Sequence, residues 1–301
     1  MKMNRPQLYP LGELPESFES SPGMRNIDPE TASSYSSLKE LEYESEDGGR
    51  LELLVIQPPV RQSVALPCIF FVQGSAWHRQ KLLKNIPHLI EFSKRGYVIV
   101  IPRYRSSDIA VFPAQIRDIR TAVSFICARA EEYGADPAKL FLWGDSSGAH
   151  TVLMAAFTYA DPAFGPVCSP FQGVVDYYGP VNLIEMGHSP STIDHWSPDS
   201  PEGLLFGRVC VPEHPELSEA ADPSRYLASD AGIPPVLILH GSKDQLVPFR
   251  QSILLYEALK EAGKEAEFYR LAGSGHGGEE FWSPLVLDIV ESFIKKHLKK
   301  T

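Results

Sequence analysis

One pentapeptide, Gly144, Asp145, Ser146, Ser147 and Gly148, has the residue types and spacing for covalent chemistry. It is a G-x-S-x-G that directly follows the apolar run KLFLW and directly precedes the helix-forming run GAHTVLMAAF. A serine at such a strand-to-helix turn sits in strained backbone, and small residues flank it because larger ones would clash with neighbouring backbone. The helix N-terminus behind it offers N–H groups to a developing oxyanion. The plainer reading is a Gly/Ser-rich loop that caps a helix.

A serine hydroxyl is a weak nucleophile, so it needs a base within hydrogen-bond reach and a third group to orient that base. Asp244 follows the run PPVLILHG, and His276 follows EAEFYRLAG within GSGHGG. Both therefore lie in loops after strands, and the order Ser146, Asp244, His276 is the order of nucleophile, acid and base in G-x-S-x-G hydrolases. Asp244 could instead cap a helix beginning near Pro248, and Asp176, at the end of GVVDY, is a rival acid. His276 is flanked by Gly273, Gly275, Gly277 and Gly278, which speaks against core burial and leaves a flexible surface loop as its plain reading. Of the other histidines, His240 at a strand end reads as packed or hydrogen-bonded, and His150 on the helix after the elbow reads as structural. For oxyanion donors, the loop Gln73, Gly74, Ser75, Ala76, Trp77 suggests the N–H groups of Ser75 and Ala76, joined by that of Ser147. A tight turn leaving a strand is the alternative there.

These loops need a scaffold, and the pattern supplies one. Two β-rich runs, LKELEYES and RLELLVIQP, flank Asp47, Gly48 and Gly49 as a hairpin. From Leu66 apolar runs alternate with helical segments: LPCIFFV, a helix near Lys81 to Arg95, YVIVIP, a helix over 114–133, KLFLW, and a helix after Ser147. The alternation resumes with GVVDYYG, PPVLILHG, a helix over 249–262, EAEFYRLAG and a last helix near Leu285 to Leu298. Such alternation makes right-handed crossovers and a parallel sheet, and near-continuous Val, Ile, Leu and Phe strands mean that helices cover both faces. Ile116, Ile119, Val123, Ile126 and Ala130 form one apolar stripe toward that sheet. The expectation is an α/β fold with a mostly parallel eight-stranded sheet, its core at 37–179 and 234–301. Residues 1–36, with five prolines and no apolar period, read as an irregular arm. Residues 180–233, punctuated by proline, read as a small cap over the site, where Trp196, Phe206 and, from the preceding loop, Trp77 are candidates to stack on substrate.

The strings FVQGSAW, RGYVIVIPRYR, FPAQIRDIRTAVSFI, LFLWGDSSGAH, ILHGSKDQLVP and GSGHGG together resemble the α/β-hydrolase fold esterases related to hormone-sensitive lipase. Within them the chain is most similar to the group typified by bifunctional feruloyl and acetyl xylan esterases, over roughly residues 38–298. Relatives of hormone-sensitive lipase usually carry His, Gly, Gly, Gly in the oxyanion loop; Gln73, Gly74, Ser75, Ala76 and Trp77 depart from that and favour the feruloyl/acetyl group over the lipases. The resemblance implies Ser146, Asp244 and His276 as the catalytic triad.

Composition narrows the rest. With 43% hydrophobic residues and 10% aromatics the chain can bury a large core, and a net charge of −10 argues against a nucleic-acid partner. There is no phosphate loop, no H-E-x-x-H and no dinucleotide G-x-G-x-x-G, so no metal or other cofactor is expected. The start MKMNRPQLYP lacks the apolar h-region of a secretory signal, and no stretch approaches a membrane span, so a cytoplasmic protein is expected. Cys68, Cys127, Cys168 and Cys210 show neither C-x-x-C spacing nor disulfide density; Cys68 and Cys127 read as small packed hydrophobes. The terminal KKHLKK reads as a solvated helix end. The expected activity is a carboxylesterase that hydrolyses short-chain acyl esters of small molecules, acetylated sugars or hydroxycinnamoyl esters, through an acyl-enzyme at Ser146. An aminopeptidase or amidase (formamidase) on the same scaffold, and a non-catalytic binding module, are the rival functions; the residues leave a homo-oligomer open.

Overall fold

The computed structural model describes residues 8–10, 13, 15, 17, 21–25, 36–59, 64–166, 168–228 and 232–298. Most of the N-terminal arm, including Pro6 and Pro29, and the terminal Lys299 and Lys300 lie outside the described residues. Residues 1–33 and 34–301 are separate compact units; in the first, the Glu13 N–H donates to the Pro10 carbonyl and a turn stands at Ser21–Met24.

The second unit opens with the hairpin read from the sequence, β1 (Ser37–Glu44) and β2 (Arg50–Gln57), paired antiparallel around a turn that holds Gly48 at φ +84°. β3 (Leu66–Val72), α1 (Ile86–Ser93), β4 (Val98–Pro102), α2 (Ala114–Cys127), α3 (Ala130–Tyr133), β5 (Ala135–Asp145), α4 (Ser147–Phe157) and β6 (Gly173–Tyr177) follow. After an insertion come β7 (Val236–Gly241), α8 (Arg250–Glu261), β8 (Ala266–Leu271) and α9 (Pro284–His297). The sheet has eight strands in the order β1-β2-β4-β3-β5-β6-β7-β8; the β1–β2 and β2–β4 pairs are antiparallel and the rest parallel. Alternate residues of each inner strand face opposite layers: Cys68, Phe70 and Val72 enter one buried cluster with α2, α4 and α8, while Ile69 and Phe71 enter the other with α1 and α9. Both faces are covered, which is why these strands read as unbroken apolar runs.

The structure adjusts three readings. The helix expected over 114–133 is two, broken at Ala128–Arg129, with Gly134 at φ +66° turning the chain into β5; Ala130 is buried all the same. The helix expected from Lys81 begins only at Ile86, with Pro87 in its first turn, where a missing N–H costs nothing. Cys127 is not a free packed thiol. It is bonded to Cys168, which the irregular loop beyond α4 brings back over α2 across 41 residues of sequence, a pairing that spacing rules do not reveal. Cys68 is free and buried, as read.

The insertion between β6 and β7 is less irregular than its prolines suggest. It holds α5 (Leu183–Met186), α6 (Pro201–Leu205), α7 (Pro215–Ala220) and single 3-10 turns at Val211–Glu213 and Pro223–Tyr226. Pro201, Pro212, Pro215 and Pro223 all stand in first turns, and the side chains of Asn182, Ser200 and Asp222 cap the N–H groups of Glu185, Gly203 and Ser224. Four of the seven prolines over 180–223 thus mark helix starts. Among the described residues no helix is long and apolar enough to cross a membrane.

Candidate active site

Parallel strands put their carboxyl ends on one edge of the sheet, and the loops leaving β3, β5, β7 and β8 converge there. Ser146 stands between β5 and α4 at φ +54°, ψ −129°, left-handed backbone that a residue with a side chain keeps only when its surroundings enforce it. Its N–H donates to the Tyr177 carbonyl at 2.8 Å. A Cβ on Gly144 would stand 2.5 Å from the Ala149 nitrogen, and one on Gly148 would run into the Val72 carbonyl. The glycines of the pentapeptide are therefore required by close approach of backbone, as the sequence predicts.

His276 Nε2 lies 2.9 Å from Ser146 Oγ, and its Nδ1 lies 2.7 Å from Asp244 Oδ2. A carboxylate only accepts, so Nδ1 carries the proton and Nε2 is free to accept from the serine hydroxyl. The Asp244 side chain is fully buried; Oδ1 accepts the N–H groups of Leu246 and Val247, both at 2.9 Å, while Oδ2 also sits 3.2 Å from His240 Nε2. Burial opposes ionisation of Asp244, but hydrogen bonds from His240 and His276 outweigh it and hold the carboxyl well below the usual carboxylate range. Asp244 thus caps its turn with one oxygen and orients a histidine with the other. His240 is fixed from behind: Nε2 donates to the Val247 carbonyl at 3.0 Å, and Nδ1 accepts from the Ser252 hydroxyl at 2.7 Å. The Tyr178 ring packs edge-on against His276 at 4.7 Å.

The rival acid is elsewhere. Asp176 is buried on β6, its Oδ1 accepting from the Gly179 N–H at 2.8 Å, and among the described residues no hydrogen bond joins it to His276. Burial pushes its carboxyl up to about 7. His150 is structural, as read: Nε2 donates to the Ala221 carbonyl at 2.8 Å, Trp77 packs on its ring, and burial pushes it down to about 4.

The oxyanion loop differs from expectation at one residue. The Ser75 N–H donates to Ser147 Oγ at 2.9 Å and is engaged inside the fold. Tyr104 explains why: its buried hydroxyl lies 3.0 Å from Ser75 Oγ and 3.4 Å from Ser147 Oγ, tying the two serines together. Ala76 and Trp77 follow at φ +54° and +56°, two strained residues in succession, and the N–H groups of Ala76 and of Ser147 at the α4 N-terminus have no partner among the described residues. Those two remain able to receive negative charge.

A cavity of about 70 Å³ reaches Ser146 and His276, walled by Ala76, Trp77, Met186, Leu246 and Val247. Trp77 is brought to this cavity; Trp196 and Phe206 are not. Trp196 Nε1 donates to the Ile184 carbonyl at 2.9 Å, and Phe206 packs against Phe112 inside a small apolar cluster with Leu183, Leu205 and Val211. A segment built from one-turn helices has no other core, so its aromatics are taken up in making one. Two residues that sequence reasoning left unmarked line the cavity instead, His195 and Glu202. Both fall within STIDHWSPDSPE, seven positions apart on no common element, and no sequence signal sets them aside from an ordinary polar loop.

An eight-stranded, mostly parallel sheet with a strained serine between its fifth strand and the next helix, and acid and histidine after later strands, defines an α/β-hydrolase of the type related to hormone-sensitive lipase. The chain belongs to the BD-FAE family, whose profile it matches over residues 54–259. It is 30% identical to "Esterase LipQ" of Mycobacterium tuberculosis over 242 residues, 76% of this chain and 54% of the relative. Among solved structures it is similar to a "truncated form of carbohydrate esterase from gut microbiota", with TM-score 0.76, 25% identity and coverage of 89% of this chain and 98% of the other. It is also similar to a "bifunctional GH43-CE" of Bacteroides eggerthii, with TM-score 0.71, 26% identity and coverage of 82% and 36%. The chain spans about half the length of the curated relatives it matches.

Proposed function

We propose that this protein is a serine carboxylesterase that removes short acyl groups from small hydroxylated alcohols such as sugars. The observation that carries the reading is the continuous hydrogen-bonded chain from Ser146 through His276 to a buried, ionised Asp244, with the serine held on a strained turn. In the first step Ser146 Oγ adds to the ester carbonyl while its proton passes to His276 Nε2, and the carbonyl oxygen, now negative, is received by the N–H groups of Ala76 and Ser147. Collapse breaks the bond to the alcohol oxygen, which leaves with the proton from His276. Water then adds to the acyl-enzyme by the same route, releasing the acid and restoring Ser146. Asp244 stays ionised throughout and stabilises the imidazolium.

The small cavity supports acetyl to butyryl groups over the much larger hydroxycinnamoyl group, and the polar, Pro-rich sequence of the insertion argues against a long apolar tunnel. That relatives are named esterases, and that a similar structure is named a carbohydrate esterase, supports the same choice. The test is kcat/KM across acetyl, butyryl, octanoyl and palmitoyl p-nitrophenyl esters, methyl ferulate and an aminoacyl anilide. The expected maximum lies at acetyl to butyryl, falling at least about tenfold by octanoyl because overfilling a short pocket forces strain. A maximum at octanoyl or beyond, or faster turnover of the anilide, overturns the assignment.

A further inference from the structure

The insertion contributes a second titratable pair to the same cavity. His195 and Glu202 are both buried, with side chains 1% and 2% exposed, and His195 Nδ1 lies 3.0 Å from Glu202 Oε1. His195 Nε2 is held in turn by Ser191 Oγ at 2.9 Å. One carboxylate oxygen is therefore fixed, yet the other, Oε2, is buried with no partner among the described residues. The same is true of Nε1 of Trp77, another residue that lines the cavity. A buried polar atom without a partner costs about 1–3 kcal/mol, and of the ten such side-chain atoms among the described residues only these two, a donor and an acceptor, belong to residues that line the cavity beside Ser146. If Glu202 served only to anchor the insertion, its single bond to His195 would suffice.

We propose that Glu202, positioned by His195 and assisted by Trp77, reads a hydroxyl group adjacent to the scissile ester bond. The inference rests on the esterase reading above and adds to it the group that the site recognises. A hydroxyl both donates and accepts, so it is the neutral group that matches an acceptor at Glu202 Oε2 and a donor at Trp77 Nε1. A methyl in its place leaves both unsatisfied. An ammonium has nothing to accept the Trp77 N–H, and the carboxylate it would pair with already faces His195.

Two pairs of esters of matched shape test this. 2-Hydroxyethyl acetate against propyl acetate places the hydroxyl on the alcohol side, and ethyl lactate against ethyl isobutyrate places it on the acyl side. After correction for alkaline hydrolysis rates, wild-type protein is expected to prefer the hydroxylated member of one pair by at least about tenfold in kcat/KM, the scale of leaving a buried polar group unpaired. In Glu202→Leu that ratio is expected to fall to about one or below, with Glu202→Gln intermediate. Whichever pair shows the preference identifies the side of the ester that the cavity holds. Should Glu202→Leu fail to fold, the wild-type ratios and Glu202→Gln decide the matter. Turnover of p-nitrophenyl acetate without preference in either wild-type pair overturns the inference while the esterase reading stands. A higher kcat/KM for 2-aminoethyl acetate than for 2-hydroxyethyl acetate overturns it in favour of an amine subsite, and absence of turnover on every ester overturns the esterase reading itself.

Discussion

Among the described residues, two of the chains that link serine, histidine and carboxylate have nearly the same internal distances. At the strand ends, Ser146, His276 and Asp244 are linked at 2.9 and 2.7 Å; in the insertion, Ser191, His195 and Glu202 are linked at 2.9 and 3.0 Å. What separates them is the surroundings. Ser146 is lifted on a left-handed turn with the α4 N-terminus and the Ala76 N–H nearby, whereas Ser191 sits in a loop where its hydroxyl also lies 3.2 Å from the Gln245 carbonyl. Asp244 has partners on both oxygens, whereas Glu202 has a partner on one only. Three residues in line make a base; a nucleophile also needs a place for the charge it creates. The insertion's chain fits a recognition role and the strand-end chain a chemical one.

The largest effect expected from that contrast is on the serines. Ser146→Ala should lower kcat for p-nitrophenyl acetate by at least about a thousandfold and abolish labelling by a fluorophosphonate probe, because the residual rate of a dismantled triad comes from binding and oxyanion contacts alone. Ser191→Ala should keep the labelling and change kcat less than about tenfold. Equal losses in the two variants would erase the distinction.

The acids come next. Asp244→Asn should cost roughly a thousandfold to ten-thousandfold in kcat, since an amide no longer enforces the Nδ1–H tautomer of His276, and Asp176→Asn less than about tenfold. The reverse order would transfer the acid role to Asp176. A smaller loss, on the order of tenfold in kcat, is expected for His240→Ala, which removes one of the hydrogen bonds that keep Asp244 ionised without touching Ser146. A loss as large as that of Asp244→Asn would show that His240 governs His276 more directly than its place behind the acid allows.

The smallest effect is one of stability. Burial raises the Asp176 carboxyl to about 7 in the folded protein, so between its ordinary value and about 7 the folded state holds a proton that the unfolded state has lost. Stability from this group is complete below that window and declines as pH rises through it. Asp176→Asn removes the dependence, so its Tm relative to wild type should be more favourable at pH 8 than at pH 4.5, by a few degrees on the scale of single-site effects. An unchanged difference between the two pH values would mean that Asp176 stays charged when buried.

Much of this was open to a reader of the residues. The inner strands β3 to β7 follow from apolar runs bounded by turn signals, because a strand covered on both faces has few polar positions to interrupt it, while β1, β2 and β8, with exposed positions, follow from alternating runs between turns. Ser146 and His276 stand in glycine-rich loops and Asp244 in a loop, each directly after a strand, and the parallel topology makes those loops neighbours. Ser75, Ala76 and Ser147 follow together from the loop pattern, but the Ser75 N–H is taken by the Ser147 side chain, which only the folded loop brings near. Trp196 and Phe206 were marked for the right size and chemistry but turned inward, since a short insertion must first make a core.

The sequence by itself determined the sheet, the order of the catalytic candidates and the glycines that let backbone pass close to Ser146, for these depend on local pattern and on rules of strand connection that hold wherever the pattern occurs. Tertiary structure alone decided that Asp244 and not Asp176 faces His276, that Cys127 meets Cys168, and that His195 and Glu202 stand in the cavity wall. Each of these meetings has at least one partner in a loop or one-turn helix, where no period relates sequence position to direction, so only the packing of the whole determines what touches what.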